Sequence, residues 1–428
     1  MLTILSYTMI VCFMYLIMSK RLSPLVALIL VPIVFACLGG FANGLGPMML
    51  NGVKMLAPTG IMLTFAILYF CMMTDAGLFN PLIKVILKIV KGDPQRIVLG
   101  TAVLGTCVGL DGDGATTYII TTAALLPLYR RTGISLQVMA TVLLLTIGVM
   151  NILPWAGPFS RAASAMHVDI TDLFVEMIPI MVAGLAWVWF VAFHLGRAER
   201  NRLGIISLED GEGLEKFTEQ RLGDWRFLFN AALTITLITL MMLNVMPLPI
   251  LFMVAFALGL VVNFPSMKAQ KDVIGTHAAN VLAVTLLIFA AGIFVGIMSG
   301  TGMVQAISES LVAVIPEAAG RYMSTFTAFI SMPFTYVLTN DAFYFGILPI
   351  LAETANHYGL THQEMAIASL IGQPVHLLSP LVASTYLLCG LLNIDYGDNQ
   401  RASIGWSVGT CLVMFVVAVA LGKISLFY

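Results

Sequence analysis

Nearly the whole chain is divided into apolar stretches of the length that crosses a bilayer. A span needs about 20 mostly apolar residues. Such stretches fall at 2–19, 24–42, 59–79, 96–128, 135–153 and 173–196, and again at 227–246, 248–265, 279–300, 322–351, 364–392 and 404–425. Only 10% of the 428 residues are charged, where a soluble domain carries about 25%. A net charge of −1 offers no basic footprint for nucleic acid. The composition excludes a soluble enzyme, a disordered chain and a nucleic-acid binder, and predicts an all-α polytopic membrane protein. The first apolar run begins at Leu2 with no basic residue before it and no small-residue cleavage site before Lys20, as in a retained span. Cys12, Cys37, Cys71, Cys107, Cys389 and Cys411 all lie in apolar sequence without a Cys-x-x-Cys pair, which reads as buried small hydrophobes.

The stretch 197–226 stands apart, with 13 charges in 30 residues, and is expected to be a solvated loop between two halves, 1–196 and 227–428. The halves resemble each other. Gly133-Ile-Ser-Leu-Gln137-Val-Met139-Ala140 aligns with Gly359-Leu-Thr-His-Gln363-Glu-Met365-Ala366 at an offset of 226, which also pairs Pro154 with Pro380; Gly77 matches Gly302 at 225. Segments 96–128 and 322–351 are each interrupted by polar and glycine residues. If each dips in and returns, every half has five crossings, and the second half is inverted relative to the first. With the N-terminus outside, 17 of the 21 lysines and arginines fall on the cytoplasmic side, leaving Lys54, Arg161, Arg321 and Lys423 outside. Amphipathic stretches 80–92 and 303–314 precede the two broken segments and read as interfacial helices.

The first broken segment contains Gly109-Leu110-Asp111-Gly112-Asp113-Gly114-Ala115-Thr116-Thr117. A carboxylate at membrane depth costs on the order of 3 kcal/mol, and three glycines in six residues oppose a continuous helix. A hairpin tip lining an aqueous cavity reconciles both, and makes Asp111 and Asp113 candidate proton or metal ligands. The segment is not a calcium loop, because its sixth position is Thr116 and its twelfth Thr122; nor does it carry the Gly-x-Gly-Asp of a membrane aspartyl protease. The second broken segment offers Thr339, Asn340 and Asp341 in the corresponding place. Each half then has a proline-broken span: Asn151, Pro154, Gly157, Ser160 and Arg161 in the first, and Gln373-Pro374 through His376 to Ser379-Pro380 in the second. Broken helices expose backbone groups that bind ions. Arg161 is a candidate carboxylate clamp, and His376 a candidate proton carrier. Asp75 is expected to cap a helix end.

These motifs resemble those of the bacterial citrate–divalent metal–proton symporters, within the ion transporter superfamily. The resemblance is carried by Ala57-Pro58-Thr59-Gly60, Asp75-Ala76-Gly77-Leu78-Phe79, Lys91-Gly92-Asp93-Pro94, Leu110-Asp111-Gly112-Asp113-Gly114 with Thr116-Thr117-Tyr118, Asn151 with Pro154-Trp155 and Gly157-Pro158, Arg161-Ala162, and Asn340-Asp341 with Phe343-Tyr344-Phe345-Gly346. It implies import across the inner membrane of citrate or a related tricarboxylate, complexed with a magnesium- or calcium-type cation and driven by protons. It also implies a homodimer with scaffold and transport domains, and no tightly bound cofactor. Asp111, Asp113 and Asp341 would then serve proton coupling or the co-transported metal. Sodium-coupled carboxylate transport or proton antiport are the alternatives within the superfamily; a membrane hydrolase built on paired aspartates is the alternative outside it.

Overall fold

A computed structural model gives the fold and describes residues 2–19, 21–90, 92–205, 225–243 and 245–426. The first half contains α1 (Leu2–Met18), α2 (Pro24–Leu38), α3 (Leu45–Asp75), α4 (Asn80–Val90), α5 (Pro94–Val108), α6 (Gly114–Thr132), α7 (Leu136–Met150), α8 (Gly157–Met166) and α9 (Ile170–Leu203). The second contains α10 (Trp225–Met242), α11 (Leu248–Asn263), α12 (Met267–Gly300), α13 (Met303–Val312), α14 (Glu317–Gly320), α15 (Met323–Val337), α16 (Leu348–Asn356), α17 (His362–Leu370), α18 (Gln373–His376), α19 (Ala383–Leu392) and α20 (Tyr396–Ala420). Among the described residues there is no strand. The segments Ala42–Asp75, Ile170–Leu203, Val281–Gly300 and Tyr396–Ala420 are long and apolar enough to cross a bilayer.

Several helices outrun their apolar windows, α20 among them, which begins at Tyr396 rather than at 404. α3 and α12 begin at Leu45 and Met267 rather than at 59 and 279, and α9 runs past 196 to Leu203. Packing supplies what propensity lacks. Glu199 near the end of α9 accepts the Ser135 amide (3.1 Å), and Arg202 donates to the Gly133 carbonyl (2.9 Å). Most of the expected 197–226 loop lies outside the described residues.

α3 and α12 pack along their length, with α2 and α11 against them. Their crossing depends on glycine. A Cβ on Gly52 would collide with the Gly292 carbonyl, and one on Gly296 with that of Met48. Close backbone approach of this kind holds helices together where lipid gives no hydrophobic drive. Interhelical hydrogen bonds add to it: Thr64–Thr285 (2.8 Å), Tyr69–Thr234 (2.8 Å), and a reciprocal Asn230–Asn263 amide pair. Gly296→Val should lower stability by about 1–3 kcal/mol through overpacking, read as a lower Tm of the purified protein. Gly275→Ala, whose Cβ meets nothing within 4 Å, is the control expected to change little.

Both broken segments form hairpins, and they enter from opposite ends. α5 starts from Asp93, which caps it and lies 3.6 Å from both Arg96 and Arg200, while α6 ends at Gly133 beside Arg202. The mouth of this hairpin therefore lies beside the C-terminal end of α9. The second hairpin opens beside the C-terminal end of the chain: Thr325 of α15 donates to the Ser425 carbonyl, and neighbouring Lys423 pairs with Glu176 in the first turns of α9 (2.9 Å). Between α15 and α16 the chain is extended at Leu338, then winds as a π-helix over Ala342–Ile347. Inserted π-turns are frequent at functional sites. α7 gives way to α8 through non-helical 151–156, and α18 to α19 through 377–382, so both proline breaks are present.

Candidate functional site

The tip of the first hairpin is a 3-10 turn, Gly109–Asp111, followed by Gly112 at φ 74°, a left-handed conformation that costs glycine nothing. Any Cβ at Gly112 would also press on Trp155, 3.1 Å away. Asp111 is buried and accepts the Asp113 amide (2.8 Å). Asp113 caps α6, accepting from the amides of Ala115 (3.3 Å) and Thr116 (3.0 Å) and from the Thr116 hydroxyl (2.6 Å). Thr117 turns its hydroxyl back to the Asp113 carbonyl (3.0 Å).

Trp155, in the middle of the first helix break, ties the tip down. Its indole N–H donates to the Leu110 carbonyl (2.7 Å), and its ring stacks on Phe70 of α3 (centroids 5.1 Å apart). Asp111, Asp113, Trp155, Gly157 and Cys71 line a cavity of about 320 Å³ between the hairpin tip and α3.

Gly157 begins α8, and no side chain caps that helix. Arg161, in the next turn, folds its guanidinium back against Gly157; a Cβ there would lie 2.6 Å from Nη1. Arg161 Nε donates to Asp341 Oδ1 at 2.6 Å, and both residues are buried, 8% and 6% exposed. Arg161, counted on the external side by charge placement and also named as a candidate carboxylate clamp, is inside the protein. A guanidinium at this depth needs a carboxylate partner, and the turn of the second hairpin provides one.

Around Asp341 the second half builds a polar lattice. Gln373 Nε2 donates to Tyr344 Oη (2.7 Å) and Asn340 Oδ1 (3.3 Å), and Thr339 Oγ1 accepts the Ala342 amide (3.2 Å). His376 is buried with Nδ1 2.6 Å from the Thr335 carbonyl, so Nδ1 carries the hydrogen. Ser160 bonds back to its own helix at the Ala156 (3.1 Å) and Gly157 (3.0 Å) carbonyls, and Ser379 accepts the Leu381 amide (3.2 Å); both hydroxyls serve local turns. Asn151 ends α7, and Pro154 lies buried in the break.

The three aspartates do not gather into one ligand set. Among the described residues no three His, Cys, Asp or Glu side chains cluster to hold a metal, because Asp341 is engaged by Arg161 while Asp111 and Asp113 share the opposite tip. Asp75, expected as an end cap, instead reaches His277 of α12 (2.7 Å). Sequence reading missed Trp155, Gln373 and Tyr344 as site residues. The signal was a tryptophan and a glutamine beside prolines within apolar sequence, legible only as anomalies.

Opposed hairpins meeting broken helices around buried charge are the architecture of a membrane transporter. The sequence profile of the citrate transporter family matches residues 13–372. The chain is 52% identical over 425 residues to the citrate transporter of Bacillus subtilis (strain 168), covering 99% of this chain and all of that protein. It is 46% identical over 431 residues, covering the full length of both, to the Mg(2+)/citrate complex secondary transporter of the same organism. In fold it is similar to the YdaH transporter of Alcanivorax borkumensis, with a TM-score of 0.59 over 90% of each chain at 12% identity. It is also similar to MtrF of Neisseria gonorrhoeae, with a TM-score of 0.53 at 14% identity, covering 88% of this chain and 84% of that one. The chain belongs to the citrate transporter family and is a multi-pass protein of the cell membrane.

Proposed function

We propose that the chain imports citrate as its complex with a divalent cation, of the magnesium or calcium type, in symport with protons. The observation that carries this reading is the placement of Arg161 and the uncapped start of α8 directly behind a cavity whose near wall holds Asp111 and Asp113. A citrate trianion bound to a divalent metal has one net negative charge. Its carboxylates suit the guanidinium and the helix N-terminus, and its metal suits hard aspartate oxygens. Entry with two or more protons moves positive charge inward, which the membrane potential assists by about 2.3 kcal/mol per charge per 100 mV. The relative whose name specifies a Mg(2+)/citrate complex supports the same cargo.

The proposal includes inverted repeats at 1–196 and 227–428, a cytoplasmic loop between them, and a homodimer of scaffold and transport domains. Support for the repeat comes from matched glycines with matched backbone: Gly77 and Gly302 have φ of 77° and 72°, and Gly133 and Gly359 of 71° and 85°. Reconstituted protein should accumulate labelled citrate only with a divalent ion and an inward proton gradient, tested across Mg2+, Ca2+ and no metal. Metal-independent uptake would remove the complex as substrate; uptake driven by sodium alone would replace the coupling ion.

A further inference from the structure

At the end of the molecule opposite the mouth of the first hairpin, α12, α13, α16, the end of α8 and the start of α17 enclose a cavity of about 220 Å³ whose lining includes His167, Glu353 and His362. His362 Nδ1 lies 3.2 Å from the carbonyl of Met166, the last residue of α8. A carbonyl only accepts, so Nδ1 carries the hydrogen, and in the neutral ring Nε2 is left with a bare lone pair. That Nε2 is buried without a hydrogen-bond partner, and it sits 3.9 Å from Glu353 Oε2, an acceptor facing an acceptor. One added proton resolves the mismatch. On Nε2 it is attracted to the Glu353 carboxylate while Nδ1 keeps its bond to Met166.

We propose that His362 and Glu353 form the external proton-loading pair of this transporter, with Met166 as its link to α8. The inference rests on the proton-driven reading and on the topology that places this end outside. The side chains are about a third exposed, at 36% and 33%, and both line the cavity, which is the route by which a proton reaches the buried Nε2. The same elements are tied once more toward the centre, where Arg161 of α8 holds Asp341 in the π-helical approach to α16. Loading the outer pair therefore adds a second tie between the element that carries Arg161 and the one that carries Asp341.

The other charged groups nearby are accounted for. From α8 the cavity receives His167, held at φ 55° and pushed below the usual imidazole range by burial and by the charge of His362. α9 carries Asp169, which caps it, Asp172, and Glu176, paired with Lys423, and none of the three lines the cavity. On α17 itself Glu364 accepts the Ser425 amide, and His357 follows α16. α15 has no charged side chain, and the α12–α13 wall presents uncharged Ser299 and Gln305, the latter bonded to Glu309.

The test is metal–citrate uptake into right-side-out membrane vesicles, with internal pH held and external pH varied. Wild-type uptake should rise about tenfold as external pH falls from about 8 to about 6, through the imidazole range. His362→Gln keeps a donor for Met166 but cannot load a proton, and should reduce that rise to less than about twofold. Glu353→Gln removes the carboxylate half of the pair, and should likewise reduce that rise to less than about twofold; it carries the test if His362→Gln fails to reach the membrane. Variants that follow the wild-type curve would overturn the pairing. A flat wild-type curve would instead bring down the proton-driven reading, and the inference with it.

Discussion

Arg161→Ala should abolish uptake and destabilise the protein by about 3–5 kcal/mol, the cost of stranding a buried charge. The pair is internal, 2.6 Å between Nε and Oδ1, and joins the first helix break to the second hairpin. Truncation leaves the Asp341 carboxylate without its counter-ion and opens a void behind Gly157. Arg161→Ala/Asp341→Ala should recover much of the lost stability, because neither charge is then unpaired, yet remain inactive. Arg161→Lys should rank between, since an ammonium keeps the charge and loses the planar fork. Thermal unfolding of the purified protein, read beside uptake, decides the matter. If the single and double variants melt together at the wild-type temperature, the pair contributes nothing to the fold.

Asp113→Asn should reduce uptake by about 10–100-fold while leaving folding intact. Both halves of that expectation follow from where Asp113 sits. As the cap of α6 it accepts two backbone amides and the Thr116 hydroxyl, and asparagine caps a helix about as well as aspartate. What asparagine lacks is the negative charge turned to the cavity, and the loss of a charged hydrogen-bond partner is worth about 1.5–3 kcal/mol. Asp113→Ala should lose transport and also about 1 kcal/mol of stability, because the cap goes too. Near-normal uptake by Asp113→Asn would take this carboxylate out of cargo binding and proton coupling alike. Asp111→Asn is a different experiment, since Asp111 is buried and holds the turn through the Asp113 amide.

Much of the architecture could be read without coordinates because apolar length is a local property. A carboxylate in a glycine-rich interruption signals a hairpin tip wherever it lies, and a proline in a span signals a break. Asp111, Asp113, Asp341 and both breaks were legible for that reason. The true starts of α3 and α12 were not, since the polar and glycine residues at 45–58 and 267–278 look like loop until the partner helix is in place. Gly52, Gly292 and Gly296 show the same limit. They are unremarkable singly and become a close crossing only when the two helices that carry them, α3 and α12, meet.

Arg161 marks the boundary most sharply. The sequence alone made it a cation just past a helix break, a candidate carboxylate clamp equally compatible with a surface loop, and established that this chain is a helical membrane protein carrying acids at two depth-breaking interruptions. That much follows from short-range patterns of hydropathy, glycine and proline. Only the tertiary structure decided that Arg161 is buried against Asp341, 180 positions away, that Trp155 clamps the hairpin tip, and that His362 faces Glu353. The physical reason is that ion pairing and hydrogen bonding act over a few ångströms of space, and the chain distance between partners leaves no trace in the local pattern of either.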